Sequence, residues 1–112
     1  MNICAAATDV NWKAHDGATS LLVSCQERAV DCARLLLQHG AHPNMADNFD
    51  NYPLLEAVKA DSMELVRLLV EQRADVNCQL YCGTSPLHQA ASEGMLHMVE
   101  FLLQVRTAIT FH

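Results

Sequence analysis

The chain has 112 residues, 51% of them hydrophobic, enough for one domain with an apolar core. Its formal net charge of −6 argues against a nucleic-acid partner, because duplex phosphates require a basic surface. No apolar run approaches the ~18 residues a membrane helix needs, and Met1–Trp12 lacks the basic start and apolar middle of a signal peptide. Five cysteines in no disulfide-framework spacing complete the pattern of an intracellular chain with free thiols, cytoplasmic or else nuclear.

Taken in order, Met1–Lys13 contains Asp9-Val10-Asn11, which returns as Asp75-Val76-Asn77, and reads as the tail of an incomplete preceding unit. Residues 14–46 form a first full unit. Gly17 marks a turn, Thr19 is placed to cap a helix over about Ser20–Glu27, and a second helix is expected over about Val30–Gln38, closed by Gly40. Cys25 and Cys32 take small apolar positions, where free cysteine packs as a small hydrophobe. Residues 47–79 form a second unit with a weaker entry, since Asp50 and Tyr52 replace the turn glycine and the capping hydroxyl. Its helices are nonetheless well marked, by Pro53-Leu54 and by the run from Met63 to Val70. Arg73 takes the place of Gly40, a costly choice if that site needs positive φ. Residues 80–112 form the third unit. Ser85 caps, Pro86 fits the first helical position, Leu87, Ala90 and Ala91 make an apolar face, and Gly94 ends the helix. Met95, Met98, Val99, Leu102 and Leu103 recur at helical spacing in the helix that follows. Beyond Gln104 the pattern fails, and only Ile109 stays in frame.

The units repeat at an interval of 33 residues, as Gly83 steps back to Asp50 and Gly17, and Leu87 to Leu54 and Leu21. Val99, Leu102 and Leu103 step back to Val66, Leu69 and Val70, then to Ala33, Leu36 and Leu37. The Ser-Pro-Leu-His-Gln-Ala-Ala run, its glycine and the Val-x-x-Leu-Leu that follows resemble an ankyrin repeat, and the resemblance covers nearly the whole chain. It implies an all-α solenoid of three stacked helix-turn-helix repeats with short hairpin loops. It also marks the departures: Ser20, Leu22 and Arg28 stand where Pro, His and Gly are usual, and Arg73 and Arg106 at usual glycine positions. Ankyrin arrays normally close with a polar outer face. None is visible here, so the chain reads as cut at both ends; a self-contained three-repeat protein is the alternative, near the minimum number for stability. Leu87, Ala91, Phe101 and Leu102 would border an uncovered face and invite weak self-association.

The resemblance further implies a non-catalytic module that binds another protein through hairpin tips and the exposed side of the first helices. In the first repeat these positions are Lys13, His15, Asp16, Gln26 and Glu27; in the second, Asn48, Phe49, Asn51 and Lys59. The third offers Gln79, Tyr81, Cys82, Ser92 and Glu93. Phe49 and Tyr81 stand out, because large aromatics at exposed tips serve as interface anchors. Trp12 takes a usually small position and is expected to wedge beneath the first hairpin. Asn44 and Asn77 are candidate substrates for the asparagine hydroxylase that modifies ankyrin repeats, Asn77 in a context that resembles the favoured one, with Leu69 eight residues before it and Asp75-Val76 immediately before, although such asparagines also hydrogen-bond within the hairpin. The tails Asn44-Met45-Ala46-Asp47 and Asp75-Val76-Asn77-Cys78 loosely suggest a SOCS-box ubiquitin-ligase adaptor, but no such box follows His112.

Other chemistry finds little footing. His88 is the repeat's usual structural histidine, and as a general base it would need an activated nucleophile and an orienting acid. Cys78, Cys82, His88 and His97 match none of the tight paired-cysteine zinc signatures. Four scattered glycines form no phosphate loop. No metal, cofactor or catalytic group is therefore expected, and Asp31, Glu64 and Glu100 read as a solvated face.

Overall fold

The computed structural model describes residues 9–75 and 84–110, with side chains described as far as Val105. Among the described residues six helices follow one another: α1 Ser20–Gln26, α2 Val30–Gln38, α3 Pro53–Lys59, α4 Met63–Glu71, α5 Pro86–Ser92 and α6 Leu96–Thr110. They pack as three consecutive pairs. Each pair stacks on the next, with α1 against α3, α3 against α5 and α2 against α4. The result is an elongated solenoid of 48 × 27 × 25 Å.

Local sequence explains where the helices start. The side-chain oxygens of Thr19, Ser62 and Ser85 accept the N–H groups of Leu22, Leu65 and His88 at 3.2–3.3 Å, satisfying one orphan donor each. Tyr52 ahead of α3 makes no such bond, as the lost hydroxyl predicts, and α3 relies on Pro53 at its first turn. Turns between paired helices share one design. The N–H groups of Ala29, Ser62 and Met95 reach back to the carbonyls of Ser24, Ala57 and Ala90 at 2.8–3.1 Å. The residue before each adopts positive φ: Arg28 at 57°, Asp61 at 55° and Gly94 at 70°. The ends of α2 and α4 repeat the arrangement. Ala41 and Ala74 bond the carbonyls of Leu36 and Leu69 after Gly40 at φ 93° and Arg73 at φ 70°. This is the left-handed helix stop that favours glycine, so Arg73 does hold the strained conformation foreseen for it.

Arg106 does not. It lies inside α6, which runs on to Thr110 instead of turning at the position equivalent to Gly40 and Arg73. The loss of the repeat pattern after Gln104 is thus a lengthened helix, and no glycine-site penalty applies at Arg106.

The core runs along the stack. Leu21 and Cys25 meet Leu54, Leu55, Val58, Leu65, Val66 and Leu69, which continue into Ala90, Met98 and Leu102. All the middle-pair members of this set are at most 1% exposed. Cys25 is fully buried as expected; burial, with the Glu56 carboxylate adding to it, pushes its thiol up to about 12 and keeps it protonated. Cys32, given the same small apolar role from sequence, is exposed instead.

Candidate protein-binding surface

The first two hairpin tips are built alike from backbone outward. In Ala14–Ala18, the Ala14 N–H donates to the Ala18 carbonyl and the Gly17 N–H to the Ala14 carbonyl, both at 2.9 Å. In Asp47–Asn51, the Asp47 N–H donates to the Asn51 carbonyl at 3.1 Å and the Asp50 N–H to the Asp47 carbonyl at 3.2 Å. The tips then touch. The Asn48 N–H donates to the Asp16 carbonyl at 2.8 Å, and the Asn48 amide reaches the His15 carbonyl at 3.4 Å. Gly17 is required there twice over, since its φ is 84° and a Cβ would lie 2.5 Å from the Asn48 side-chain oxygen.

Asp50 lacks glycine's freedom yet holds φ 63°. The compensation comes from Asp47, an almost buried carboxylate that sequence inspection passed over. Its oxygens accept the Phe49 and Asn51 N–H groups and the Asn51 side-chain amide, each at 2.9 Å. Burial opposes the charge, but the Asn51 amide and the two backbone donors outweigh it and hold the carboxyl below its ordinary range. The signal lay in an Asp at the start of the turn, since such side chains bond backbone two residues on.

Phe49 rides on this braced turn and is 70% exposed. Lys13, His15, Asp16, Gln26, Glu27 and Asn48 are exposed, as are Lys59, Ser92 and Glu93. Gln26, Lys59 and Ser92 occupy equivalent places at the ends of α1, α3 and α5, so these form one row along the stack. Lys59 leans on Glu56 at 3.4 Å. Asn51 is half-buried, and its side-chain amide donates to Asp47 at 2.9 Å. Gln79, Tyr81, Cys82 and Asn77 lie outside the described residues.

Asn44 is exposed, but both ends of its amide are engaged. It donates to the Arg73 carbonyl at 3.4 Å and accepts the Asp75 N–H at 2.6 Å. Asn11 does the same one unit earlier, with the Gly40 carbonyl at 3.2 Å and the His42 N–H at 2.8 Å. His88 shares a 3.2 Å contact with the Ser85 hydroxyl that caps its own helix, a structural arrangement. Among the described residues no group of three or more His, Cys, Asp or Glu side chains is placed to hold a metal, and Cys78 and Cys82 fall outside them. Nor is any helix of the described residues long and apolar enough to cross a membrane.

A second surface went largely unread in the sequence. Trp12, Ala18, Val23, Cys32, Leu35 and Leu36 border an open, mainly apolar groove of about 530 Å³ on the outer side of the first helix pair. Trp12 is 51% exposed at its edge, so it does not wedge beneath the hairpin. At the other end the expected uncovered face is smaller than foreseen. Leu102 is buried, Phe101 is half-buried with the Arg67 guanidinium 5.5 Å from its ring centre, and Ala91 is exposed.

Stacked helix pairs with projecting hairpin tips define a helical repeat protein, and comparison with known proteins specifies which. Residues 16–48 match the family described as ankyrin repeat, and residues 54–103 match ankyrin repeats in many copies. The chain belongs to the ankyrin-repeat family. It is 33% identical over 99 residues to the B-cell lymphoma 3 protein homolog of Mus musculus, covering 88% of this chain and 22% of that protein. It is 39% identical over 88 residues to the neurogenic locus Notch protein of Drosophila melanogaster, covering 78% of this chain and 3% of that one. Human BCL-6 corepressor-like protein 1 is 32% identical over 87 residues, 78% of this chain and 5% of the relative. The chain therefore spans less than a quarter of each of these relatives, and the likeness lies in the repeats. Ankyrin repeats are protein-interaction modules, and that coarse function is this chain's.

Proposed function

We propose that the chain acts without catalysis, holding its first-helix ends and hairpin tips rigidly against one protein partner in the cytoplasm or nucleus. The observation that supports this most is Phe49: an aromatic side chain 70% exposed on a turn fixed by three hydrogen bonds to Asp47. A side chain held in place before association loses little further entropy, and aromatic anchors carry a large share of interface energy. Asp16, Asn48 and the row Gln26, Lys59 and Ser92 extend the surface, with Tyr81 at the next tip by its register in sequence. Affinity capture from cell extract tests the reading. The Phe49→Ala, Tyr81→Ala double variant should lose the captured protein while its circular dichroism stays that of the wild type; undiminished capture would remove this surface from consideration.

Asn44 and Asn77 are also proposed as hydroxylase substrates, checked by intact mass after enzyme treatment, where an unshifted mass counts against the idea.

A further inference from the structure

The turns within the helix pairs lie along the edge of the solenoid opposite the hairpin tips. There, between the second and third pairs, a hollow of about 580 Å³ opens beside Arg28, Asp61, Glu64 and Gly94. Packing explains its place: α3 stacks directly on α5, while α4 and α6 meet less closely than α2 and α4 do. The floor is methionine. Met98 is buried, and Met63 and Met95 are half-buried. The repeat itself does not demand sulfur here, since the equivalent positions hold Val30 and Leu96, Ala29 and Ser62, and Cys32 and Leu65. An unbranched thioether adapts to what is pressed against it, so such a floor accepts apolar side chains of varied shape. Gly94 leaves the mouth clear, with nothing within 4 Å of where its Cβ would stand. A second hollow of about 380 Å³, beside Arg67 and Phe101, shares Met63 and His97 with the first, so the groove runs on between α4 and α6.

The rim is acidic. Asp61 and Glu64 are exposed on it, and exposed Glu27 and Glu93 stand one residue from Arg28 and Gly94. Among the described residues none of these four carboxylates is in an ion pair, whereas Glu56 and Glu100 face Lys59 and His97. Arg28 and, further along, Arg67 are the cations bordering the groove, and Arg67 lies over the Phe101 ring. The chain as a whole carries −6. Unpaired carboxylates around an apolar floor draw in cationic groups and turn away acidic ones. We propose that this groove takes a basic segment of a partner protein, with one apolar side chain on the methionine floor and flanking Lys or Arg against Asp61 and Glu64. The length of the groove suits an extended peptide better than a compact ligand. The floor supplies the burial, and the rim charges choose the sign of what enters. This second interaction edge does not involve Phe49 or the hairpin tips, and it stands or falls separately from them.

Methyl NMR of the 112-residue chain, labelled at the methionine ε-carbons, reads the floor directly. The probe is the peptide acetyl-Lys-Arg-Phe-Leu-Lys-amide, with a counterpart in which every Lys and Arg is Glu. The basic peptide should shift the Met63 and Met95 methyl signals saturably and leave Met45 in place; the acidic one should shift none of them. Asp61→Asn keeps a residue tolerant of positive φ, and Glu64→Gln keeps the shape of the side chain. Each should weaken binding about two- to fivefold, the range of an exposed ion pair. Glu71→Gln removes the same charge at the other end of α4 and should leave the affinity unchanged. Circular dichroism checks that each variant keeps its helicity. No methyl shift at millimolar basic peptide would overturn the proposal, and so would equal shifts with the acidic peptide or equal weakening by Glu71→Gln. Shifts confined to the amides of Asn48 and Phe49 would overturn it too, by giving the basic segment to the hairpin tips.

Discussion

Arg28, Asp61 and Arg73 carry left-handed backbone at places where Gly94 and Gly40 show what the turn prefers. A Cβ in that conformation costs about 1–2 kcal/mol, while glycine's extra freedom in the unfolded chain returns roughly 0.4–1 kcal/mol of the difference. The first term is larger, so Arg73→Gly should stabilise the protein by up to about 1 kcal/mol, read as a higher urea midpoint with an unchanged slope. Asn44 bonds only the backbone carbonyl of Arg73, so that bridge survives the change. Asp47 works in the opposite direction. Its three donors reward the ionised form, and the folded carboxyl binds a proton less readily than the unfolded one. Its contribution is complete above the ordinary carboxylate value of 3.8 and is lost as pH falls through the lower folded value. Asp47→Ala should cost about 1–3 kcal/mol near neutrality. The gap between wild type and variant should narrow in acid, as denaturation at a series of pH values would show; a gap independent of pH would mean the carboxylate is not the stabilising form.

At the level of the helix, the caps decide where elements begin. Ser62 is buried and bonds the Leu65 N–H, so Ser62→Ala should cost about 1 kcal/mol in thermal or chemical denaturation. These starts were legible in the sequence because Thr19 and Ser85 carry short side chains next to an apolar period, and Gly40 gave the matching stop. The end of α6 was not. From Gln104 to Thr110 the repeat motif vanishes, but no glycine or proline appears either, and a helix continues until something stops it. The failed repeat pattern marks only the missing turn, and the helix runs on through it. Cys32 and Trp12 failed for a different reason. The repeat frame gives a residue its position, whereas burial depends on whether a neighbouring pair lies over it. The binding surface was legible to the same degree: exposed tips such as Phe49 followed from the frame, but the Asp47 brace that holds Asn51 depends on a turn geometry that the frame does not contain.

For the whole molecule, the middle pair is the only described one packed on both sides, with Leu54, Leu55, Ala57, Val58, Leu65, Val66 and Leu69 at most 1% exposed. Opening it exposes more apolar surface than opening either end. Amide exchange should therefore be slowest in α3 and α4 and faster in α1 and α5 when followed by mass spectrometry; uniform protection along the stack would indicate a single all-or-none unit. The pattern of contacts also bears on how the chain reaches this state. Substantial helix contacts are confined to members of a pair or to successive pairs, so no decisive encounter joins distant parts of the chain. The entropy of closing a long loop never has to be met before packing repays it. Folding can begin wherever two neighbouring pairs first meet and spread outward, and α3–α4, with a neighbour on either side, offers two such beginnings where α1–α2 offers one. The speed of the search is thereby set by local steps and stays nearly indifferent to how many repeats are joined in line.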